Sequence, residues 1–313
     1  AFYRPLNSNV RLLKVETLSE FRSRLANALC ASGYPVRLDE SRLIPLAEKL
    51  DLLRRMDHYT RLISDLLAAN DSANLRSLVL EVTFAFQFEA AGMPLRYEVR
   101  HRPDDETSVD FLRQVDSGKQ LCIEMRLVQQ RQALTTLFEE QLRNSDYFGT
   151  ILNGTDDRAE TLRLQRLILE KAVNCRGELI KFQQDAASSY NIVAIEVSEL
   201  HLGMIDDADC LLATYGDPAV PDLMRRQLFG LFQEPRPDYP PHIHEVAARF
   251  APFRRAVHAV LFLRKVPPGN PIDFRLEYLL VHNRKLMITE EVNSIARDIN
   301  GAMDVWKSIR DRA

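Results

Sequence analysis

Cysteine is sparse in this 313-residue chain, and its four copies are scattered. Cys30, Cys122, Cys175 and Cys210 form no CxxC pair, which removes zinc-finger and disulfide-framework readings and leaves reduced thiols in a cytoplasm as the expectation. Lysine is also scarce: of 41 basic residues only 8 are lysine and 33 are arginine. Excess positive charge, the usual mark of general nucleic-acid affinity, is missing, because the formal net charge is −3. A local basic groove would have to supply what the net charge does not. No apolar run approaches the roughly 18 residues that span a bilayer, so no membrane association is expected. The opening Ala1-Phe2-Tyr3-Arg4 carries no charged leader ahead of an apolar stretch, so secretion is not expected either. No P-loop, GxSxG or dinucleotide glycine fingerprint occurs, and P-loop nucleotide hydrolysis and serine-esterase chemistry lose their support.

What is present is ordinary globular material, 46% hydrophobic and 27% charged, long enough for one large domain or two modest ones. The first seventy residues read as helical. Glu16 to Ala31 repeats Leu18, Phe21, Leu25 and Leu29; Arg42 to Ala69 continues with apolar residues at steps of three or four. Asn70-Asp71-Ser72 predicts a break and N-cap for a third helix over about 73–91, closed by Gly92. The period then shortens. Strands are expected at 95–100, 107–115 and 120–128, helices at 131–144 and 158–187, and a buried strand at 191–197. Beyond these, the pattern predicts a helix at 219–233, a proline-dense loop from Pro235 to Pro241, strands at 256–264 and 273–282, and a final helix capped by Thr289. Three regions follow: a helical part over 1–71, an α/β core over 72–200, and an α/β extension over 201–313 that completes the sheet.

Two carboxylates interrupt adjacent strand-like alternations. Asp110 lies in Ser108-Val109-Asp110-Phe111-Leu112, and Glu124 lies in Leu121-Cys122-Ile123-Glu124-Met125-Arg126-Leu127, with the polar turn Asp116-Ser117-Gly118-Lys119 between them. Strand parity puts Leu121, Ile123, Met125 and Leu127 on one face, and Cys122, Glu124 and Arg126 on the other. If the strands form a hairpin, Asp110, Glu124 and Arg126 share the face away from the core. Two close carboxylates repel unless a proton or cation intervenes, and an oxygen-rich site of this kind suits Mg²⁺ or Mn²⁺. A third acid, Glu81, sits within the apolar Leu78-Val79-Leu80-Glu81-Val82, where a charge needs a specific partner or a metal. Glu89, two turns later, is a weaker candidate.

At these residues the chain resembles the PD-(D/E)xK (restriction endonuclease-like) nuclease superfamily, over roughly residues 74–198. The resemblance implies a central mixed β-sheet flanked by helices, in an α-β-β-β-α-β core. It also implies that Asp110 and Glu124 hold a metal, with Glu81 assisting, for water attack on a phosphodiester. Val109 stands where the superfamily often has proline, and Arg126 stands where it has lysine. A guanidinium is always charged and cannot serve as a base, although it can stabilise the phosphorane. A lysine can instead reach in from the following helix, where Lys171 and Lys181 occur, and Gln129 and Gln130 are placed to orient water or phosphate. The implied function is a Mg²⁺-dependent DNA endonuclease, in bacterial defence or repair, acting alone, as a homodimer or with a protein partner.

Plainer readings stand beside these. Asp110 and Glu124 also fit two solvated residues on a half-buried sheet, and Glu81 fits a helix face paired with Arg76. Arg126 as a salt-bridge partner of Glu124 or Asp110 describes a nuclease fold that has lost its metal and binds nucleic acid or a protein. An accidental resemblance in a helical scaffold is a third reading. His242-Ile243-His244 follows two prolines and lacks a third ligand, so it reads as loop; His258 and His282 read as core histidines. Asp206-Asp207-Ala208-Asp209 lacks the glycine and glutamate of a calcium loop. Arg54, Arg55 and Arg61 read as a solvated face or a DNA or partner surface.

Overall fold

The computed structural model describes residues 18–32, 40–100, 108–129, 154–182, 188–198, 205–217, 228–267 and 272–305. Its framework is a mixed, open sheet with helices on both faces. The strands are β1 (Arg96–Val99), β2 (Val109–Gln114), β3 (Gln120–Leu127), β4 (Ser189–Glu196), β5 (Ala259–Val266), β6 (Arg275–His282) and a two-residue β7 (Asp304–Val305). They lie side by side in chain order. The first three form an antiparallel meander, β3, β4 and β5 run parallel, β6 returns antiparallel and β7 runs parallel to β6.

Helices α1 (Leu18–Ala31), α2 (Glu40–Leu53), α3 (Thr60–Ala68), α4 (Ser72–Ala90) and α8 (Thr289–Ala302) cover one face. On the other lie α5 (Gly154–Ala172), α6 (Asp207–Tyr215) and α7 (Pro241–Ala256). One apolar cluster runs from Phe21 and Leu46 through Phe84 to Phe111, Ile123 and Leu261. A second joins Cys122, Val193 and Phe262 to Ile168 and Phe253. This corrects the half-buried sheet expected from alternation. With both faces covered, every residue of β4 is buried, as helix-covered parallel strands require.

Local chemistry explains the elements that hold the site. Asp71 caps α4, its side chain accepting from Asn74 N at 2.7 Å. The helix is apolar nearly all round because it is sandwiched between the sheet and α2–α3. Gly92, at φ +71°, ends it in the left-handed conformation that suits glycine. The β2–β3 turn falls at Asp116–Lys119 as its composition predicts, with Gly118 at φ +80° and Val115 N bonded to Lys119 O. Arg113 to Asp298 and Lys119 to Glu291 tie that hairpin to α8.

Several expected boundaries move. The continuous helix over 42–69 is broken into α2, a 3₁₀ turn at Asp57–Tyr59 and α3. The break drives Tyr59 fully into the core, where its hydroxyl donates to Glu89 at 2.8 Å. The helix expected to reach 187 stops at Ala172, because Asn174 accepts from Arg176 N and Glu178 N and folds the chain into a turn closed by a Val173–Leu179 bridge. The described part of the helix expected at 219–233 is irregular. Leu231 N and Phe232 N bond back to the last turn of α6, and a Cβ on Gly230 would stand 2.4 Å from Gly216 N. The sequence reading missed α6 and α7: Asp206 and Asp209 form the capping box of α6, and His242 and His244 are exposed in the first turn of α7 rather than in a loop. The last helix starts after Ile288, not at a Thr289 cap, and ends at Ala302; Trp306 and Ile309 of the expected stripe lie outside the described residues. The helix expected at 131–144 and Gln130 lie outside the described residues.

Candidate functional site

Backbone register sets Asp110 against Glu124. Phe111 pairs with Ile123 and Leu112 with Cys122, so the next step along the hairpin opposes the two acids. There the carboxylates take over ladder positions: Met125 N donates to Asp110 Oδ2 at 2.7 Å, and Asp110 N donates to Glu124 Oε1 at 3.2 Å. Each acid therefore has one oxygen fixed by the opposite strand's backbone. The hairpin leaves its regular ladder at this point.

Two ammonium groups also reach the acids: Lys181 meets the oxygens left over, and Lys171 shares Asp110 Oδ2 with Met125 N. Lys181 Nζ lies 2.8 Å from Glu124 Oε2 and 3.5 Å from Asp110 Oδ1. Lys171 Nζ lies 3.4 Å from both Asp110 Oδ2 and Glu124 Oε2. Lys171 comes from the last turn of α5; Lys181 comes from the segment after the Asn174 turn, at φ +67°. A non-glycine residue in that conformation carries strain, which the ion pairs offset. Glu124 is fully buried, whereas Asp110, Lys171 and Lys181 keep 17, 18 and 25% of their side-chain surface. The cluster is thus open on one side.

Burial, with Asp110 beside it, pushes the Glu124 carboxyl up to about 7 against the pull of both lysines. Glu81 is pushed further, to about 8, by burial and Asp110, although the Tyr97 hydroxyl bonds it at 3.0 Å. Burial works to lower Lys181, but Asp110 and Glu124 outweigh it and its pKa is raised. Burial also raises Glu98, opposed by Arg61 and helped by Asp65 and Asp110. Glu98 stands across β2 from Asp110 by register, at φ +46°. Four carboxyl groups, Glu81, Glu98, Asp110 and Glu124, thus crowd around two lysines and Arg61, and burial keeps Glu81 mostly protonated. Burial and Glu124 push the Cys122 thiol up to about 12, so it remains a thiol.

The expected residues divide accordingly. Asp110, Glu124 and Lys181 are brought together, Lys181 from a loop rather than a helix. Glu81 stays beside the pair: its oxygens go to Tyr97 and Ser77, and the expected pairing with Arg76 is absent from its partners among the described residues. Arg126 is corrected. It is exposed and, among the described residues, makes no ion pair with either acid; the lysines hold that place. Glu89 accepts from Tyr59 and His58, away from the site. Gln129 is half-buried, and its carbonyl accepts from Arg163. Lys171, expected as an alternative to Lys181, joins it as a second clasp, whereas Tyr97 and Glu98 were not expected at the site. Their signal was the register that places Glu98 in the row of Asp110 and Glu124.

Among the described residues no group of three or more His, Cys, Asp or Glu is placed to share one metal ion, so the expected three-acid set reduces to two. Two carboxylates still suit Mg²⁺, which keeps most of its waters and takes further ligands from a substrate phosphate. Glu124 Oε2 and Asp110 Oδ1, the oxygens not held by the opposite strand's backbone, both lie within 3.5 Å of Lys181 Nζ, which marks where they converge on a cation. Among the described residues no helix is long and apolar enough to cross a membrane. No known protein family, curated protein or solved structure matches this chain.

Proposed function

We propose that this chain is a metal-dependent nuclease of the PD-(D/E)xK type, hydrolysing phosphodiester bonds in DNA. In this reading Asp110 and Glu124 hold Mg²⁺ or Mn²⁺, and Lys181 takes the role of the motif lysine. The observation that carries it is the clasp of Lys181 on both carboxylates, 2.8 and 3.5 Å away, at the point where the β2–β3 ladder opens. The order α4-β1-β2-β3-α5-β4, with an antiparallel meander feeding a parallel fourth strand, agrees with a restriction-endonuclease-like core. The setting of bacterial defence or repair rests on the resemblance alone.

A bound divalent ion would supply a Lewis acid and a water activated at neutral pH. The chain's own groups do the positioning. Met125 N and Asp110 N fix one oxygen of each acid, so the remaining oxygens are oriented in advance. Lys181 stays protonated among the acids and donates to the equatorial oxygens as charge develops; it is a charge stabiliser, not a base. Glu81 holds a proton at neutral pH beside Tyr97, which limits the negative charge next to the phosphate.

A second reading is a catalytically degenerate nuclease fold that binds nucleic acid or a protein partner. It is favoured by the two lysines already saturating the acid pair and by the absence of a third ligand among the described residues. Incubation of the full chain with plasmid and single-stranded DNA decides. The active reading expects cleavage that needs Mg²⁺ or Mn²⁺ and vanishes in Asp110→Ala, Glu124→Ala and Lys181→Ala. Binding without cleavage under every metal condition selects the degenerate reading.

A further inference from the structure

The acid pair belongs to a row running across three strands, and a second row follows it. Register places Glu98, Asp110 and Glu124 side by side across β1, β2 and β3. Two residues further on β3 stands Arg126, and two residues past Glu98, just beyond β1, stands Arg100; continuing the β1–β2 register by one pair and the β2–β3 register by three, past the point where the ladder opens, sets Ser108 between them. Both arginines are exposed, and among the described residues neither forms an ion pair. Exposed arginines beside an excess of carboxylates would ordinarily turn back onto them. Here the lysines and Arg61 occupy those oxygens, and both arginines stay exposed and outside that network of ion pairs.

We infer that Arg100 and Arg126 form a phosphate-holding row which grips the nucleic-acid strand one phosphate away from the reacting one. The inference rests on the nuclease reading of the acid row and adds to it the groups that hold a neighbouring phosphate. Two strand residues span about 6.6 Å, comparable with the step between successive phosphates along one strand. A planar guanidinium takes a phosphate bidentately, which an ammonium cannot. The two rows then divide the work, the inner one binding a cation and the outer one binding the anion that the chain's net charge of −3 would otherwise repel. Arg126 thereby acquires a role different from the lysine whose motif position it holds.

The test is binding of a short fluorescein-labelled DNA oligonucleotide, read by anisotropy over a salt series, with cleavage kinetics run in Mn²⁺. Arg100→Ala and Arg126→Ala are each expected to weaken binding about tenfold and to reduce the slope of log affinity against log salt by about 1. In cleavage the loss appears in KM with kcat largely kept. Arg126→Lys recovers much of the salt slope, and Arg297→Ala, an exposed arginine on α8, leaves it unchanged. Wild-type cleavage with unaltered salt slopes in both alanine variants overturns the arginine row and spares the nuclease. Salt slopes that fall as expected in a protein that never cuts support the row and overturn the nuclease reading. A wild-type chain that neither binds nor cuts overturns both.

Discussion

Two buried glutamates on neighbouring strands show what distinguishes a sealed charge from a usable one. Glu124 on β3 and Glu196 on β4 are both fully buried, and parity puts them on opposite faces of the sheet. Glu196 accepts from Ser198 N at 2.7 Å and from the Ser198 hydroxyl, and Lys265 Nζ lies 3.8 Å away. Lys265 is itself only 3% exposed and packs over the Phe274 ring at 4.9 Å. There a buried acid and a buried base lie together under a closed cover. Around Glu124 the acids outnumber the lysines, the lysines keep a quarter or less of their surface, and the carboxyl groups of Glu124 and Glu81 are pushed up. A buried pair that balances serves the fold; a cluster left unbalanced and reachable serves a ligand.

The sealed pair gives the largest expected effect. Lys265→Met removes a buried ammonium from beside the buried Glu196 carboxylate and should cost about 3–5 kcal/mol in urea unfolding. DNA cleavage per folded molecule should be retained. A neutral result would remove the structural half of the comparison.

The open cluster should answer in the opposite sense. Lys181→Ala or Glu124→Gln is expected to lower the Mn²⁺-dependent cleavage rate by about 10²–10³-fold, the usual cost of losing a preorganised charge. Thermal stability of Glu124→Gln should change by no more than about 1 kcal/mol, because a carboxyl titrating near 7 is already half protonated and an amide is nearly its isostere. If Glu124→Gln destabilises as much as Lys265→Met, the two clusters are of one kind.

Acidity separates them further. A carboxyl raised by folding binds a proton in the native state that the unfolded chain has released, so its stability contribution is present at low pH and lost as pH rises through the folded value. For Glu81 and Glu124 that window runs from about 4.5 to about 8. Without metal, urea stability should therefore fall by about 2–4 kcal/mol between pH 5 and pH 8.5. Glu81→Gln should flatten the fall, and added Mn²⁺ should restore stability more at pH 8.5 than at pH 6. A profile that rises over this range would show the acids already fully neutralised by the lysines.

The sequence made one half of this comparison visible. Asp110 and Glu124 could be found because each breaks an apolar alternation, and period-2 parity is a local property that any pairing preserves. The strands and α4 were legible for the same reason, through strong periodicity and the Asp71 cap. Lys171 and Lys181 were harder: they reach the acids only because an Asn174 turn stops α5 and folds the chain back, and an apolar run through Leu179 and Phe182 hid that turn. Arg126 misled because parity fixes a face and not a partner. Glu196 and Lys265 drew no attention, since they lie in the last two positions of strands that read as plain core and their meeting depends on β4–β5 register.

The smallest expected effect concerns the two lysines themselves, and it sharpens the comparison most finely. Lys171 stands equally far, 3.4 Å, from one oxygen of each acid, whereas Lys181 is drawn to Glu124 at 2.8 Å. An ammonium placed symmetrically between two carboxylates competes for the position a divalent ion would take. At pH 8.5, where Glu81 and Glu124 are mostly ionised, Lys171→Met removes that competitor without adding a proton. Interactions of unit charges at this range are worth about 4 kcal/mol at an effective dielectric near 20, and partial exposure and water leave a fraction of it. Mn²⁺ affinity measured by calorimetry should accordingly tighten by up to about tenfold, equivalent to about 1.4 kcal/mol. Weaker Mn²⁺ binding in Lys171→Met would mean that the lysine holds the carboxylates in position rather than holding the cation's place. The open cluster would then share with the sealed one a lysine whose task is the fold.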